Sequence, residues 1–303
     1  MTKGKMRILS FGEILFDIFE GNAKIGGAPF NFCAGMSRLG ADGTMVSAVG
    51  LDAYGDEALG ECARFGVNTE YVARLDAPTG YCAVTRDENG EPTYDLVNDV
   101  AYDMIPFPEN VGRYDLFYFG TLAQRDGRSK KTLEKLLDGG DFGEVFFDVN
   151  LRMSYYSPEL IREGLGSATI LKINLDEAAY LSENGIGSAK KPMRGDAESM
   201  KAFARSLIGE YSLHCVIITL DRDGAFAMSS DGVCASAKAD AERNVSAVGA
   251  GDAFSCAFTY NYLTGKPLGE CVMRACELGA YTVGFEGALP DLDGDIRKRV
   301  LEK

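Results

Sequence analysis

Apolar runs alternate along this chain with amphipathic helical segments of roughly ten to fifteen residues, and this alternation restricts the fold more than any other feature. The runs are MRILSFG (residues 6–12), TMVSAVG (44–50), DLFYFG (115–120), EVFFDVN (144–150), ATILKIN (168–174), HCVIITL (214–220) and GAFAMSS (224–230). Several are apolar throughout, as a strand must be when helices cover both faces of its sheet. Between them, AESMKAFARSLIGE places Met200, Phe203, Ala204, Leu207 and Ile208 on one helical face, with Gly209 as a stop signal. APFNFCAGMSRLG and DEALGECARFG also close on glycine. Strand, helix, strand in this rhythm implies right-handed crossovers and a mainly parallel sheet with helices on both faces, a three-layer α/β fold.

Two segments break the rhythm. Residues 81–97, YCAVTRDENGEPTYDLV, alternate with period two around an Asn-Gly turn, a hairpin signature. Residues 14–27, ILFDIFEGNAKIGG, are also strand-like, with a turn at Gly21 and Asn22. The expected organisation is an α/β domain of residues 1–13, 28–78 and 105–303, and a small β-sheet lid of residues 14–27 and 79–104. A lid of this kind excludes water from a site when it closes.

The net charge of −14 repels polyphosphate backbones and anionic lipid surfaces, so neither nucleic acid nor membrane is an expected partner. A protein this acidic that handles a nucleotide needs a local positive field, from backbone amides, a metal ion or a few placed cations. The N-terminal apolar run is short and broken by Gly12 and Glu13, and nowhere do about 18 apolar residues run together. A cytoplasmic setting is expected. The eight cysteines are scattered through apolar patterns without a CxxC pair, which points to small buried hydrophobes rather than disulfides or a zinc site. His214 stands alone before a strand, so nucleophilic or metal chemistry that requires histidines has no support.

The stretch NVSAVGAGDAF (residues 244–254) carries the chemistry. Gly249, Ala250 and Gly251 precede a helical pattern that begins at Phe254, with Asp252 in its first turn. The first amides of a helix lack internal partners and carry about +0.5 charge, and glycines let them converge on an anion. Asp252 can cap those amides, or it can take a proton from an alcohol while they hold a migrating phosphoryl group. There is no GxxxxGK[ST] loop, and only Gly12 follows the first strand where a dinucleotide site needs GxGxxG. Other polar residues fall at strand ends, where open α/β sheets bind ligands. They are Asp148, Asn150 and Arg152 in FDVNLR, Lys172, Asn174 and Glu177 in KINLDE, and Thr219 in ITLDRDG. Each alone is an ordinary cap or surface residue. Together they offer a guanidinium for phosphate, an amide and a carboxylate for hydrated Mg²⁺, and a hydroxyl for a nucleotide.

With these motifs in order, the chain resembles the ribokinase or PfkB carbohydrate kinases nearly end to end, and among them most the fructokinases. GEILFD and GGAPFNFCAGMSRLG resemble the first family signature, VGLDAYGD a further recurring segment, and GAGDAF the second signature. The resemblance implies a ribokinase-like fold and ATP-dependent phosphorylation of a sugar hydroxyl, with fructose giving fructose 6-phosphate as the leading reaction. It implies Asp252 as base, and the amides of Gly249, Ala250, Gly251 and Asp252 as anion hole, with Arg152 on phosphate. Asp17, Gly26, Gly27 and Asn31 would bind the sugar, and Asn174 and Glu177 would order Mg²⁺ and its waters. Lys172, Asn174, Glu177, Thr219, Gly224, Val248, Gly251 and Cys276 would line the nucleotide. The resemblance also implies a homodimer through the lid.

Four positions depart from the family pattern. Ser246-Ala247 replaces an Asp-Thr pair, which speaks against K⁺ activation at the monovalent-cation site expected near Ser246 and Val248. Val149 replaces a proline, Asp221 a glycine near the nucleotide phosphates, and Cys276 an asparagine near the base. The rivals are a kinase for 2-keto-3-deoxygluconate or another sugar or nucleoside, and a sugar sensor that has lost efficient transfer.

Overall fold

A computed structural model describes residues 4–19, 22–86 and 92–302 of the chain. The chain divides into two compact units, residues 1–115 with 122–142, and residues 116–121 with 143–303. The first unit carries β1 (Arg7–Phe11), β2 (Leu15–Phe19), β3 (Asn22–Gly26), α1 (Ala28–Leu39), β4 (Asp42–Gly50), α2 (Ala53–Arg64), β5 (Asn68–Leu75), β6 (Gly80–Arg86), β7 (Pro92–Leu96) and α3 (Gly127–Gly139). The second carries β8 (Tyr114–Phe119), β9 (Phe142–Asp148), α4 (Pro158–Ser167), β10 (Ile170–Asn174), α5 (Leu175–Glu183), α6 (Ala197–Tyr211), β11 (Cys215–Thr219), β12 (Ala225–Ser229), β13 (Cys234–Ala237), α7 (Ala250–Leu263), α8 (Leu268–Val283) and α9 (Gly294–Leu301).

A nine-stranded sheet runs in the order β13-β12-β11-β10-β9-β8-β1-β4-β5. β1, β4 and β5 pair in parallel, and so do β9, β10 and β11. The mainly parallel α/β sheet expected from the sequence is therefore present. Its all-apolar strands are the covered ones: the first four residues of β10 and of β11 are buried. Stacked rings fill the second unit's core, with Phe119 and Phe147 at 4.7 Å between centroids and only 7° from parallel.

Four features differ from the sequence expectations. β12, with β13 beyond it, pairs antiparallel at the sheet edge. The edge strands β5 and β13 carry no apolar run to announce them; β13 reads only CASA. α6 passes through Gly209 and ends at Tyr211, with Ser212 in the left-handed conformation at its C-cap. The buried stripe of Met200, Phe203, Ala204 and Leu207 outweighs the ~1 kcal/mol that an exposed mid-helix glycine costs. Of the eight cysteines, all are free thiols and seven are buried, but Cys234 is exposed on β13.

The two excursions make one separate sheet, β3-β2-β6-β7. β2 and β6 pair in parallel at its centre, with Asp17 beside Cys82, and each carries an antiparallel neighbour. The Asn-Gly turn and the turn residue Gly21 lie outside the described residues.

VGLDAYGD ties this sheet to α2. Asp52 is the N-cap of α2 and accepts from the Gly55 amide (2.8 Å), the Thr79 hydroxyl (2.6 Å) and the Thr79 amide (2.8 Å). The buried Thr79 hydroxyl accepts in turn from the Gly50 amide at 2.8 Å, one residue before β6 begins. Partial burial raises the Asp52 pKa, but the bonds from Thr79 and Gly55, with Arg74 nearby, outweigh it and hold the carboxyl below the ordinary range. Asp52→Ala removes a cap and strands a buried hydroxyl, so a loss of about 2–3 kcal/mol is expected in denaturant unfolding. Because the folded pKa is depressed, the carboxylate's contribution is present above pH ~4 and fades as the pH falls below it, whereas the alanine variant lacks that dependence.

Candidate active site

In the second unit the GAGD stretch opens α7. Its N-cap is Gly249 at φ +78°, left-handed and without a side chain to cap the first amides. A Cβ at Gly249 would lie 2.3 Å from the Ala288 Cα, so only glycine fits. Gly251 is different. It is exposed and helical, and the nearest atom to an added Cβ there is the Lys172 Nζ at 3.6 Å. Neither backbone nor packing requires a glycine at 251. Asp252 is half-buried in the first helical turn, above the buried Phe254, Ala257 and Phe258. Before the turn, the Ser246 hydroxyl accepts from the Val248 amide at 3.2 Å, and the Val248 side chain is exposed.

Beneath the turn, the ends of β9 and β10 meet. The Lys172 Nζ lies 2.9 Å from both carboxylate oxygens of the buried Asp148. Asp148 Oδ2 also accepts from the Tyr118 hydroxyl (3.0 Å) and the Ser255 hydroxyl (3.3 Å). Ser255 Oγ stands 3.0 Å from the Gly251 carbonyl oxygen. Burial alone would lower the lysine pKa, but the carboxylates of Asp148, Glu177 and Asp252 outweigh it and hold the ammonium above its ordinary value. Lys172, expected along the nucleotide, turns its charge inward to Asp148.

Asn174 and Glu177 form the capping box of α5. The Asn174 side chain accepts from the Glu177 amide and Glu177 Oε2 from the Asn174 amide, both at 2.8 Å. The other oxygen, Oε1, accepts from the Leu151 amide at 2.9 Å. Burial raises the Glu177 pKa, with Lys172 working against it. Among the described residues no group of three acidic, histidine or cysteine side chains could cage a metal ion. Asn174 and Glu177 fit an ion held through its water shell, since each Glu177 oxygen keeps a lone pair beyond its amide.

The remaining predicted residues of this unit lie after β9, at the end of β11, before β12 and on α8. Arg152 is exposed in the loop after β9. Thr219 ends β11, beside Asn174 in register, with its hydroxyl 3.4 Å from the Ile173 carbonyl. Gly224 has φ +90°, and an added Cβ would meet the Ala237 carbonyl at 2.0 Å. Cys276 is buried on α8, its thiol pushed up to about 11 by burial. Asp221 sits at φ +53° and is paired: Arg194 reaches it at 2.8 Å and Asp223 at 2.6 Å.

In the first unit, Gly27 is the N-cap of α1 at φ +105°, and an added Cβ would strike the Glu13 carbonyl at 2.5 Å. One turn on, the Asn31 amide donates to the Gly27 carbonyl at 2.8 Å, a backbone bond of the first turn of α1. A Cβ at Gly26 would lie 3.1 Å from Asp17 Oδ2, so this glycine leaves room around the carboxylate. Asp17, Gly26, Gly27 and Asn31 are thus gathered at the β3–α1 junction and its neighbour β2. Sequence reasoning missed the Lys172–Asp148–Ser255 contacts and the pairing of Arg194 with Asp221. Only the coincidence of lysine and aspartate at the ends of adjacent strands could have signalled the first.

The model of the pfkB family carbohydrate kinases matches residues 7–293. A sugar kinase of Archaeoglobus fulgidus described as uncharacterized is 27% identical over 241 residues, covering 78% of this chain and 89% of its own. Probable fructokinase-3 of Arabidopsis thaliana is 26% identical over 331 residues, covering 97% and 91%. The solved structure of a Vibrio cholerae fructokinase with fructose, ADP and calcium ion superposes at a TM-score of 0.77 and 18% identity, covering 94% of this chain and 95% of that one. That likeness is one of fold. No helix among the described residues is long and apolar enough to cross a membrane.

Proposed function

The chain belongs to the pfkB family of carbohydrate kinases, and on that footing we propose that it transfers the γ-phosphoryl group of ATP to fructose, giving fructose 6-phosphate. Asp252 accepts the proton of the attacking hydroxyl, and the amides of Gly249 through Asp252 receive the negative charge of the migrating group. Asp17, Gly26, Gly27 and Asn31 bind the sugar, where a carboxylate and an amide pair with a polyol's donors and acceptors. Arg152 offsets phosphate charge, while Thr219, Gly224, Val248 and Cys276 border the nucleotide. Asn174 and Glu177 hold the water shell of Mg²⁺, which when bound neutralises phosphate charge. The β3-β2-β6-β7 sheet is the lid, and it is also the surface through which two copies pair.

One observation carries the reading. Gly251 is a glycine that its own fold does not need, at the uncapped start of α7. A position left bare at a small cost in helix stability is accounted for by a ligand that must approach the backbone. The choice of fructose over a ketoacid is supported by the GGAP-x-N form of residues 26–31, which suits a neutral ketose.

An ADP-release assay over fructose, ribose, adenosine and 2-keto-3-deoxygluconate tests this. The highest kcat/KM is expected with fructose. Faster turnover of another member reassigns the substrate. No turnover on any, alongside thermal stabilisation by one of them, makes the protein a sensor.

A further inference from the structure

The proposed reaction leaves a buried polar cluster under the start of α7 without a role. Lys172 contacts both oxygens of Asp148, Asp148 accepts from Tyr118, and the single Ser255 hydroxyl proton lies between Asp148 Oδ2 at 3.3 Å and the Gly251 carbonyl at 3.0 Å. Buried ion pairs are seldom more stable than apolar side chains of the same volume, so stability alone does not explain the choice. The geometry supplies a reason. The cluster fastens to one peptide of the α7 turn, and the bare Gly251 leaves the ammonium 3.6 Å from where a side chain would begin. In a chain of net charge −14, this is a cation placed where an incoming phosphate needs one.

We propose that Lys172 is a positioning residue for phosphoryl transfer: through Asp148 and Ser255 it fixes the Gly251 peptide, and through the bare Gly251 its ammonium acts on the anion held at the turn. The inference rests on the reading of Gly249–Asp252 as the phosphoryl site. It differs from direct nucleotide contact, because the ammonium is directed at both oxygens of Asp148.

The test is the double variant Lys172→Met with Asp148→Asn, which removes both charges of the buried pair together and keeps an acceptor for Tyr118 and Ser255. A folded double variant is expected to lose kcat by about 10–100-fold with the sugar KM within about threefold, since a small displacement of the reacting group acts on the chemical step. By calorimetry without sugar, its affinity for ATP should fall about tenfold while that for ADP, which lacks the γ-phosphoryl group, is unchanged. Wild-type kcat and nucleotide affinities in the folded double variant would overturn the proposal. Should the double variant not fold, Ser255→Ala decides: a kcat loss of roughly tenfold at unchanged sugar KM supports the brace, and full activity overturns it. A wild-type chain that neither binds ATP nor phosphorylates any sugar removes the proposed function and the brace together. A wild-type chain that does both, beside an equally competent variant, removes the brace alone.

Discussion

Asp252→Asn is expected to lower kcat on fructose by about 10³-fold, the middle of the range for a positioned general base. The KM for fructose should stay within about threefold. Asparagine has the size of aspartate and retains an oxygen for hydrogen bonding, so the first turn of α7 keeps its shape while proton acceptance is lost. Single-turnover kinetics with saturating ATP isolates the chemical step. A variant that keeps more than about a tenth of wild-type turnover would show that the proton goes elsewhere, and Asp252 would revert to a residue of the helix's first turn.

The second large effect separates two glycines that look alike in sequence. Gly249→Ala must place a methyl group 2.3 Å from the Ala288 Cα at a left-handed φ. Strain and overpacking together should cost about 2–4 kcal/mol of stability, read as a lower unfolding midpoint. Gly251→Ala meets only ordinary contact with Lys172, and helix propensity favours it by up to ~1 kcal/mol. Its stability should be unchanged or higher, yet kcat/KM for ATP should fall about 100-fold, because the methyl group stands where the phosphoryl group approaches. Normal kinetics in Gly251→Ala would remove the anion site from this turn, however the protein otherwise behaves.

Sequence and structure agree where burial writes a pattern into the residues. The apolar runs became β1, β4 and β8 to β12, since a strand covered on both faces can hold little but apolar side chains. β5 and β13 escaped because an edge strand has a wet face and needs no such run. Gly209 misled because a glycine's local cost is small beside a packed helical face. At the site, the start of α7 was legible from glycine spacing, and GGAPFN from its resemblance to a family signature. The Asp148–Lys172 pair was not, because its partners lie 24 residues apart and Ser255 a further 107 from Asp148. The partner of Asp221 is likewise one that no local pattern could supply: Arg194, which pairs with it across 27 positions.

The contact between Gly249 and Ala288 bears on the order in which the molecule is made. The left-handed residue that opens α7 packs against a backbone that enters the growing chain much later, after all of α8. During synthesis from the N-terminus, the strands and the small sheet can close while this turn still lacks the surface it is moulded on. On the proposed reading of this turn, catalytic competence is among the last properties the nascent polypeptide acquires, and a chain halted just before residue 288 should show no kinase activity.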